Sequence, residues 1–249
     1  MTEPTPTPPL PELLVGSYNV HKGVGNDMRR DPARIVEVIR EIGGDIIALQ
    51  EVDRRFGDRK GVLDLDYLAE TTGLAPVTLE GRLGRLAHGW HGNLLLFRGA
   101  EVEDARAITL PGLEPRGAIV ADLRVAGRPL RVIAVHLGLL HQSRLMQARR
   151  LVEEIEGGDG RPTLVMGDMN EWRLGTSCSL MPLRRGLRAV KRSAELSVPS
   201  FPARMPVLPL DRIITCNLSV LSAIEPHVSP LARLASDHLP IKARLRFTS

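Results

Sequence analysis

Thr163-Leu164-Val165-Met166-Gly167-Asp168-Met169-Asn170 is the stretch that decides the reading of this chain. Thr163 to Met166 has the composition of a buried strand, and it delivers Asp168 and Asn170 just beyond a glycine. On an extended segment, residues two apart share a side, so carboxylate and amide are expected to face together. The same arrangement recurs outward in both directions. Leu13 to Val20 reads as a strand with Asn19 near its end, followed by the polar loop His21-Lys22-Gly23. Asp45 to Leu49 is a buried strand that delivers Gln50-Glu51, and Leu130 to His136 is a strand that ends in histidine. Leu210 to Thr215 carries Asp211, and Ser236-Asp237-His238-Leu239-Pro240 precedes a closing strand, Ile241 to Phe247. Polar residues placed repeatedly where apolar strands stop are the mark of a site gathered at one edge of an α/β fold.

The segments between these strands alternate. Asp31-Pro32 starts a helix that Gly43-Gly44 stops, and Leu65 to Thr72 is a second, short helix. Asn93 to Phe97, Val102 to Leu110 and Gly117 to Val125 read as strands, and Gly127-Arg128 is a hairpin turn leading into Leu130. Gln142 to Ile155 is an amphipathic helix with Leu145, Ala148, Leu151, Val152 and Ile155 at helical spacing, and residues 176–187 hold a further short helix. Residues 1–11, rich in Pro and Thr, are expected to form an extended, poorly ordered arm. No linker divides residues 12–249, which are expected to form one domain.

Composition narrows the function classes. The chain has 249 residues, 43% hydrophobic and 25% charged, which supports a sizeable core and excludes disorder throughout. No apolar run of about 18 residues is present, so a spanning helix is not expected. The N-terminus has neither the basic start nor the apolar run of a secretory signal. Cys178 and Cys216 cannot build a disulfide framework or a cysteine zinc site, and the expected compartment is the cytoplasm. Net charge is +4, and 29 of the 33 basic residues are arginine, which suits a phosphate-rich partner. At 3% aromatic residues, a stacking platform of several rings is not expected.

The ordered set Ser17-Tyr18-Asn19-Val20-His21, Leu49-Gln50-Glu51-Val52-Asp53, Val135-His136-Leu137, Gly167-Asp168-Met169-Asn170, Leu210-Asp211-Arg212-Ile213 and Ser236-Asp237-His238-Leu239-Pro240 resembles the endonuclease/exonuclease/phosphatase superfamily, the DNase I-like fold. Ser200-Phe201-Pro202 before Leu210 adds to the likeness, which runs from about residue 13 to residue 247. The resemblance implies an α/β sandwich of two mainly antiparallel sheets with helices on the outer faces. It also implies divalent-metal-dependent hydrolysis of a phosphate ester, with Mg²⁺ or Mn²⁺ as cofactor. Such hydrolysis needs charge neutralisation on the phosphoryl oxygens, an activated water and help for the leaving oxygen.

Roles follow from that likeness. Glu51, a strand-end carboxylate suited to a hard cation, is the expected main metal ligand, with Asp237 as the second carboxylate. Asp168 orients or deprotonates the attacking water, and Asn170 holds a phosphoryl oxygen. His238 donates to the phosphate, and Asp211 orients it through the other ring nitrogen. His136 is similar to the second histidine of the DNase-like branch. Asn19 orients the phosphate or a carboxylate partner. His21, Lys22, Asn93 and Arg116 are further candidates for substrate binding, with Lys22 and Arg116 placed in loops. Arg54-Arg55, Arg149-Arg150 and Arg184-Arg185 read as solvated charge pairs.

Departures from the family pattern bear on the substrate. The superfamily's apurinic endonucleases carry an acidic residue where His21 stands and a tyrosine where His136 stands, so abasic-site cleavage is not the first expectation. Inositol-polyphosphate phosphatases match in part through Arg173 and Asp211-Arg212, but Leu210 replaces their cysteine. The first expectation is a phosphodiesterase acting on nucleic acid. The alternative is a phosphodiesterase or phosphatase acting on phospholipid or inositol-phosphate headgroups, for which contact with a membrane surface is compatible. A catalytically inactive phosphate-binding module ranks third, because Glu51, Asp168 and His238 are all present.

Overall fold

The structure, a computed structural model, describes residues 10–54, 58–80, 86–157, 160–173, 175–189 and 192–248. Most of the expected Pro/Thr arm, and Arg55 of the Arg54-Arg55 pair, lie outside the described residues. Two sheets stack face to face. The first runs in the order β11 (Leu218–Val220), β13 (Ile241–Phe247), β1 (Glu12–Asn19), β2 (Ile46–Gln50), β4 (Leu94–Phe97), β3 (Ala75–Pro76), with β12 (Glu225–Pro226) also on β13. The second runs β5 (Ala100–Leu110), β6 (Arg116–Val125), β7 (Arg128–His136), β8 (Thr163–Asp168), β10 (Asp211–Cys216), β9 (Ser193–Ser197). Neighbours are antiparallel except β1 with β2 and β7 with β8. The expected two-sheet sandwich with flanking helices is therefore the architecture found. No helix among the described residues is long and apolar enough to cross a membrane.

Alternation along each strand builds the layers. Val132, Leu164, Met166 and Ile213 point between the sheets, where they meet Val15, Ile46, Leu95 and Leu245. Their chain neighbours Ile133, Val165 and Ile214 point outward, onto α3 (His141–Glu156) and α4 (Met181–Ala189). On the first sheet's outer face, Tyr18, Leu49 and Leu94 pack with α1 (Pro32–Ile42), α2 (Leu65–Thr72) and α5 (Pro230–Ala235). α1 starts at Pro32, a residue pre-set for the first helical turn, and ends at Gly43 with φ 65°.

Some boundaries differ from the sequence reading. Over 176–187 the chain makes a 3-10 turn, Gly175–Ser177, and α4 begins only at Met181, with Pro182 in its first turn, where a missing N–H is harmless. β9 reads Ser-Ala-Glu-Leu-Ser and lies at a sheet edge, half-buried, so it shows no apolar alternation. The buried face of α3 is Ser143, Arg144, Gln147, Ala148, Leu151 and Glu154, more polar than its apolar spacing suggests.

Register sets the site. β7 pairs in parallel with β8, and β8 pairs antiparallel with β10, so His136, Asp168 and Asp211 form one row across three strands. Asp211 opens β10, and Asp237 and His238 precede β13; these sit at strand starts, not ends. Antiparallel pairing brings starts and ends to one edge. Gly167 is required by space: a Cβ there would lie 1.8 Å from the Val135 carbonyl oxygen on β7.

Candidate active site

Asp168 lies at the bottom of a cleft and is buried. Asn19, from the edge of the first sheet, donates Nδ2 to Asp168 Oδ2 at 3.0 Å. The Asn170 backbone N–H donates to Asp168 Oδ1 at 2.9 Å. Asn170 is not extended, as the sequence suggested, but left-handed at φ 50°, and its side chain turns to donate to the Leu137 carbonyl at 3.0 Å. The pair is thus an Asx turn, with the Asn170 amide acting as an anchor and the Asp168 carboxylate left at the cleft.

Two imidazoles flank Asp168 Oδ2: His136 Nε2 at 3.5 Å and His238 Nε2 at 3.8 Å. His238 Nδ1 donates to Asp211 Oδ2 at 2.9 Å, and Ser200 Oγ donates to the same oxygen at 2.5 Å. Phe201 packs against the His238 ring, with centroids 4.9 Å apart. Ser236 fixes the loop that carries His238, since its Oγ donates to the Asn19 carbonyl at 2.7 Å.

These contacts separate the protonation states. Burial pushes Asp168 up to about 6; the positive His238 opposes that rise and Asp211 adds to it. Burial alone would disfavour a charged His238, but Asp211 outweighs it, helped by Asp168 and Asp237, and holds the imidazolium up to about 10. His136 goes the other way: burial and then Arg116 push it well below the usual histidine range. Arg116 Nη1 lies 2.9 and 3.1 Å from the two His136 ring nitrogens, an approach that a neutral ring accepts and a charged one would oppose. The site therefore holds one neutral and one protonated imidazole around a single carboxylate.

Glu51 and Asp237 border the same cleft. Both offer hard oxygen donors, and Mg²⁺ commonly takes only one or two carboxylates, with water and substrate completing its shell. Among the described residues, no group of three or more His, Cys, Asp and Glu converges as a preformed cage. The donor set fits a magnesium-type ion and does not fit a closed zinc site. Burial would raise the Glu51 carboxyl, but nearby His136 and the Lys22 ammonium bring it to about 2. Because His136 is neutral, the Lys22–Glu51 ion pair is the main cause.

The other sequence candidates lie as follows. His21 does not line the cleft; its Nδ1 lies 3.0 Å from the Val24 carbonyl and 3.8 Å from Asp237 Oδ1. Arg116 is not in an exposed loop; it opens β6 and is buried. Asn93 does not line the cleft. Its buried amide donates to the Trp90 and Gly117 carbonyls and so ties the 90–93 turn to β6. Arg184 is not merely solvated, because it grips Glu195 with Nε and Nη2 at 2.6 and 2.9 Å. Sequence reasoning missed the apolar residues lining the cleft, Leu139, Trp172, Phe201 and Leu208. It also missed Ser200 as a partner of Asp211, although Ser200-Phe201-Pro202 had been part of the family likeness.

Comparison with known proteins gives the family and the fold. The model of the Endonuclease/Exonuclease/phosphatase family matches residues 16–238. The Escherichia coli (strain K12) protein YbhP is 31% identical over 244 residues, covering 92% of this chain and 94% of YbhP. A Beutenbergia cavernae endonuclease/exonuclease/phosphatase structure superposes with a TM-score of 0.71 at 22% identity, covering 96% of this chain and 72% of that one. The mannosyl-6-phosphatase Bt3783 of Bacteroides thetaiotaomicron has a TM-score of 0.65 at 16% identity, covering 94% and 100%. The chain belongs to the endonuclease/exonuclease/phosphatase family, whose members are phosphoester hydrolases.

Proposed function

We propose that this protein is a divalent-metal-dependent phosphodiesterase and that its substrate is nucleic acid. The observation that carries the reading is the buried Asp168, held by Asn19 and Asn170 between a neutral and a protonated histidine. Asp168 accepts a proton from the attacking water, and its two hydrogen-bond donors fix the direction of its oxygens. His238, charged and oriented by Asp211, donates to the phosphoryl oxygens, where negative charge builds up in the transition state. His136, pressed by Arg116, offers a neutral ring at the same point. Glu51 and Asp237 would hold Mg²⁺ or Mn²⁺, which neutralises phosphoryl charge when bound. Lys22 must then leave Glu51, which frees an ammonium for the substrate. Residues 12–249 act as one catalytic domain in this reading, since Asn19 on β1 and Asp168 on β8 share one hydrogen bond. Two free, buried thiols, Cys178 and Cys216, favour the cytoplasm.

Nucleic acid is favoured by the half-exposed Trp172 at the cleft, a ring on which a base can stack, with the Arg173 guanidinium 4.7 Å from its centroid. A second reading, a phospholipid or inositol-phosphate headgroup, is favoured by exposed aliphatic residues around the mouth. Leu139 lines the cleft. Leu113 is 86% exposed in a loop tied to Leu139 through Glu114, and Met205 and Val207 lie between the cleft residues Phe201 and Leu208. Incubation with single-stranded and duplex DNA in Mg²⁺ tests the first reading, with Asp168→Asn and a chelated sample as controls. Cleavage that vanishes in both controls is the expected result. Intact DNA alongside cleaved glycerophospholipid would move the second reading ahead. Calorimetric Mg²⁺ titration of Glu51→Ala tests the metal: undiminished binding would remove Glu51 from the site.

A further inference from the structure

A narrow recess opens beside the cleft and shares Glu51, Arg116 and His136 with it. Lys22, Arg59 and His91 form much of its remaining wall, and Asp168, Asp211 and His238 do not border it. Three cations, Lys22, Arg59 and Arg116, meet two carboxylates, Glu51 and Asp53, so the recess is cationic before any metal binds. Asp53 is buried and takes Arg59 in a fork, Nε to Oδ2 at 2.7 Å and Nη2 to Oδ1 at 3.1 Å. That fork fixes the guanidinium plane and leaves Nη1 outside the pair. His91 adds a ring whose Nδ1 is shielded from solvent and has no hydrogen-bond partner, a state that a bound acceptor would relieve. A Cβ at Gly117 would lie 2.4 Å from Trp90 Cδ1 and 2.9 Å from His91 Cδ2, so the glycine makes room for both rings.

The backbone gives an independent sign. Lys22, Glu51, Arg59 and His91 have φ of 57°, 59°, 48° and 48°. Left-handed backbone in non-glycine residues is costly and collects at ligand clamps. Here four such residues line one recess.

We propose that this recess is a second anion subsite that binds a phosphate of the substrate adjacent to the one being cut. The inference rests on the phosphodiesterase reading. The shared chemistry is a phosphate monoester or diester, supplied by the next nucleotide or by a phosphorylated headgroup. Arg59 and His91 are specificity residues of this subsite and take no part in the chemical step.

The test compares paired substrates in Mg²⁺. Thymidine 5′-(p-nitrophenyl phosphate) and its 3′-phosphorylated form release the same p-nitrophenolate and differ only in the second phosphate. Glycerophosphoinositol with and without a ring phosphate forms the second pair. In wild type the member of one pair that carries the second phosphate has a kcat/KM higher by about tenfold, through KM, as one charge-assisted contact provides. The pair that shows the preference identifies the source of the phosphate. Arg59→Gln and His91→Asn reduce the preference to about twofold or less. Asparagine tolerates the left-handed backbone at 91, so His91→Asn carries the comparison if Arg59→Gln melts early. Equal treatment of both members of both pairs by wild type, or a preference that survives the variants, overturns the subsite. If no substrate is cut, the phosphodiesterase reading fails on its own. Calorimetry with thymidine 3′,5′-bisphosphate against thymidine 5′-monophosphate then decides the subsite. Tighter bisphosphate binding that Arg59→Gln abolishes supports it, and equal affinity in wild type overturns it.

Discussion

Two buried polar networks lie side by side at the edge of the second sheet, built from similar residues to opposite effect. In the cleft, Asp168 is pushed up toward neutrality and His238 is held charged, so both protons are poised to matter. Next to it, Glu171 accepts from the Ser179 and Arg173 backbone N–H groups at 2.6 and 2.8 Å and from the Ser179 hydroxyl. Burial would raise Glu171, but those donors outweigh it and keep its carboxyl below the usual range. Arg144, fully buried, donates to Ser179 Oγ at 2.9 Å and to the Gly138 and Leu139 carbonyls, the turn that follows His136. Arg212 joins the Glu171 carbonyl to Glu195. The second network is a clamp: each of its members directly follows, or holds, a segment that carries a cleft residue. Both carboxylates are buried; the one rich in donors is kept below the usual range, while the one with fewer donors is pushed up by that burial and by Asp211.

If that contrast is right, the largest effect on folding comes from the clamp. Arg144→Met takes from buried Glu171 the nearer of its two guanidinium neighbours, leaving Arg173 Nη1 at 3.9 Å, and frees the 138–139 turn. Breaking a buried pair from one side costs about 3–5 kcal/mol, and urea unfolding at neutral pH should show a loss of that order. A loss below about 1 kcal/mol, within the range of an exposed pair, would show that the clamp is ornamental.

Asp168→Asn should do the reverse, with cooperative unfolding retained and turnover lowered by roughly 10²-fold. Hydrolysis of bis(p-nitrophenyl) phosphate in Mg²⁺ measures it, and near-normal turnover would remove Asp168 as the base.

The two networks also differ in how legible they were. Gly167-Asp168-Met169-Asn170 and Ser236-Asp237-His238 are short and placed against apolar strands, so local pattern marked them as site candidates, and the family resemblance they carry supplied the two-sheet fold. The row His136, Asp168, Asp211 was not legible from strand positions alone, because it depends on the pairing of β7, β8 and β10 and its register. Arg144 could not be read this way, because on α3 its apolar neighbours mark the packed face and an arginine reads as solvent-facing. Its burial depends on Ser179 and Glu171, which approach only when the fold is complete. Arg59 and His91 are hidden for a similar reason. They sit in loops with no periodicity, and the recess they form exists only where those loops meet β6 and β7. Asn170 misled the extended-strand argument because local hydrogen bonding to Asp168 won over continuation of the strand.

A smaller effect separates positioning from chemistry inside the cleft. Activity should rise with pH through about 6, as Asp168 loses its proton, and fall near 10, as His238 loses its own. Asp211→Asn removes the charge that holds His238 protonated and that helps to raise Asp168, so the alkaline limb should move below 10 and the acid limb below 6. The lost charge-assisted bond is worth about 1.5 kcal/mol, or roughly tenfold in turnover. A pH profile that keeps its alkaline limb in this variant would assign that limb to another group.

The smallest effect lies in the clamp's own titration. Burial would raise Glu195, but Arg184 and Arg212 outweigh it and hold its carboxyl below the ordinary glutamate value. A group with a depressed folded pKa contributes stability above its unfolded pKa, about 4.3, and loses that contribution as pH falls through the folded value. Wild-type stability should therefore decline on acidification from about pH 5. Glu195→Gln should start lower by on the order of 1 kcal/mol at neutral pH and decline less steeply. Asp168 cannot produce that limb, since a carboxyl raised by burial adds stability on acidification rather than removing it. Parallel acid limbs in wild type and Glu195→Gln would mean that Arg184 and Arg212 gain nothing from the ionised form, and the division between a clamped and a poised network would fall at Glu195.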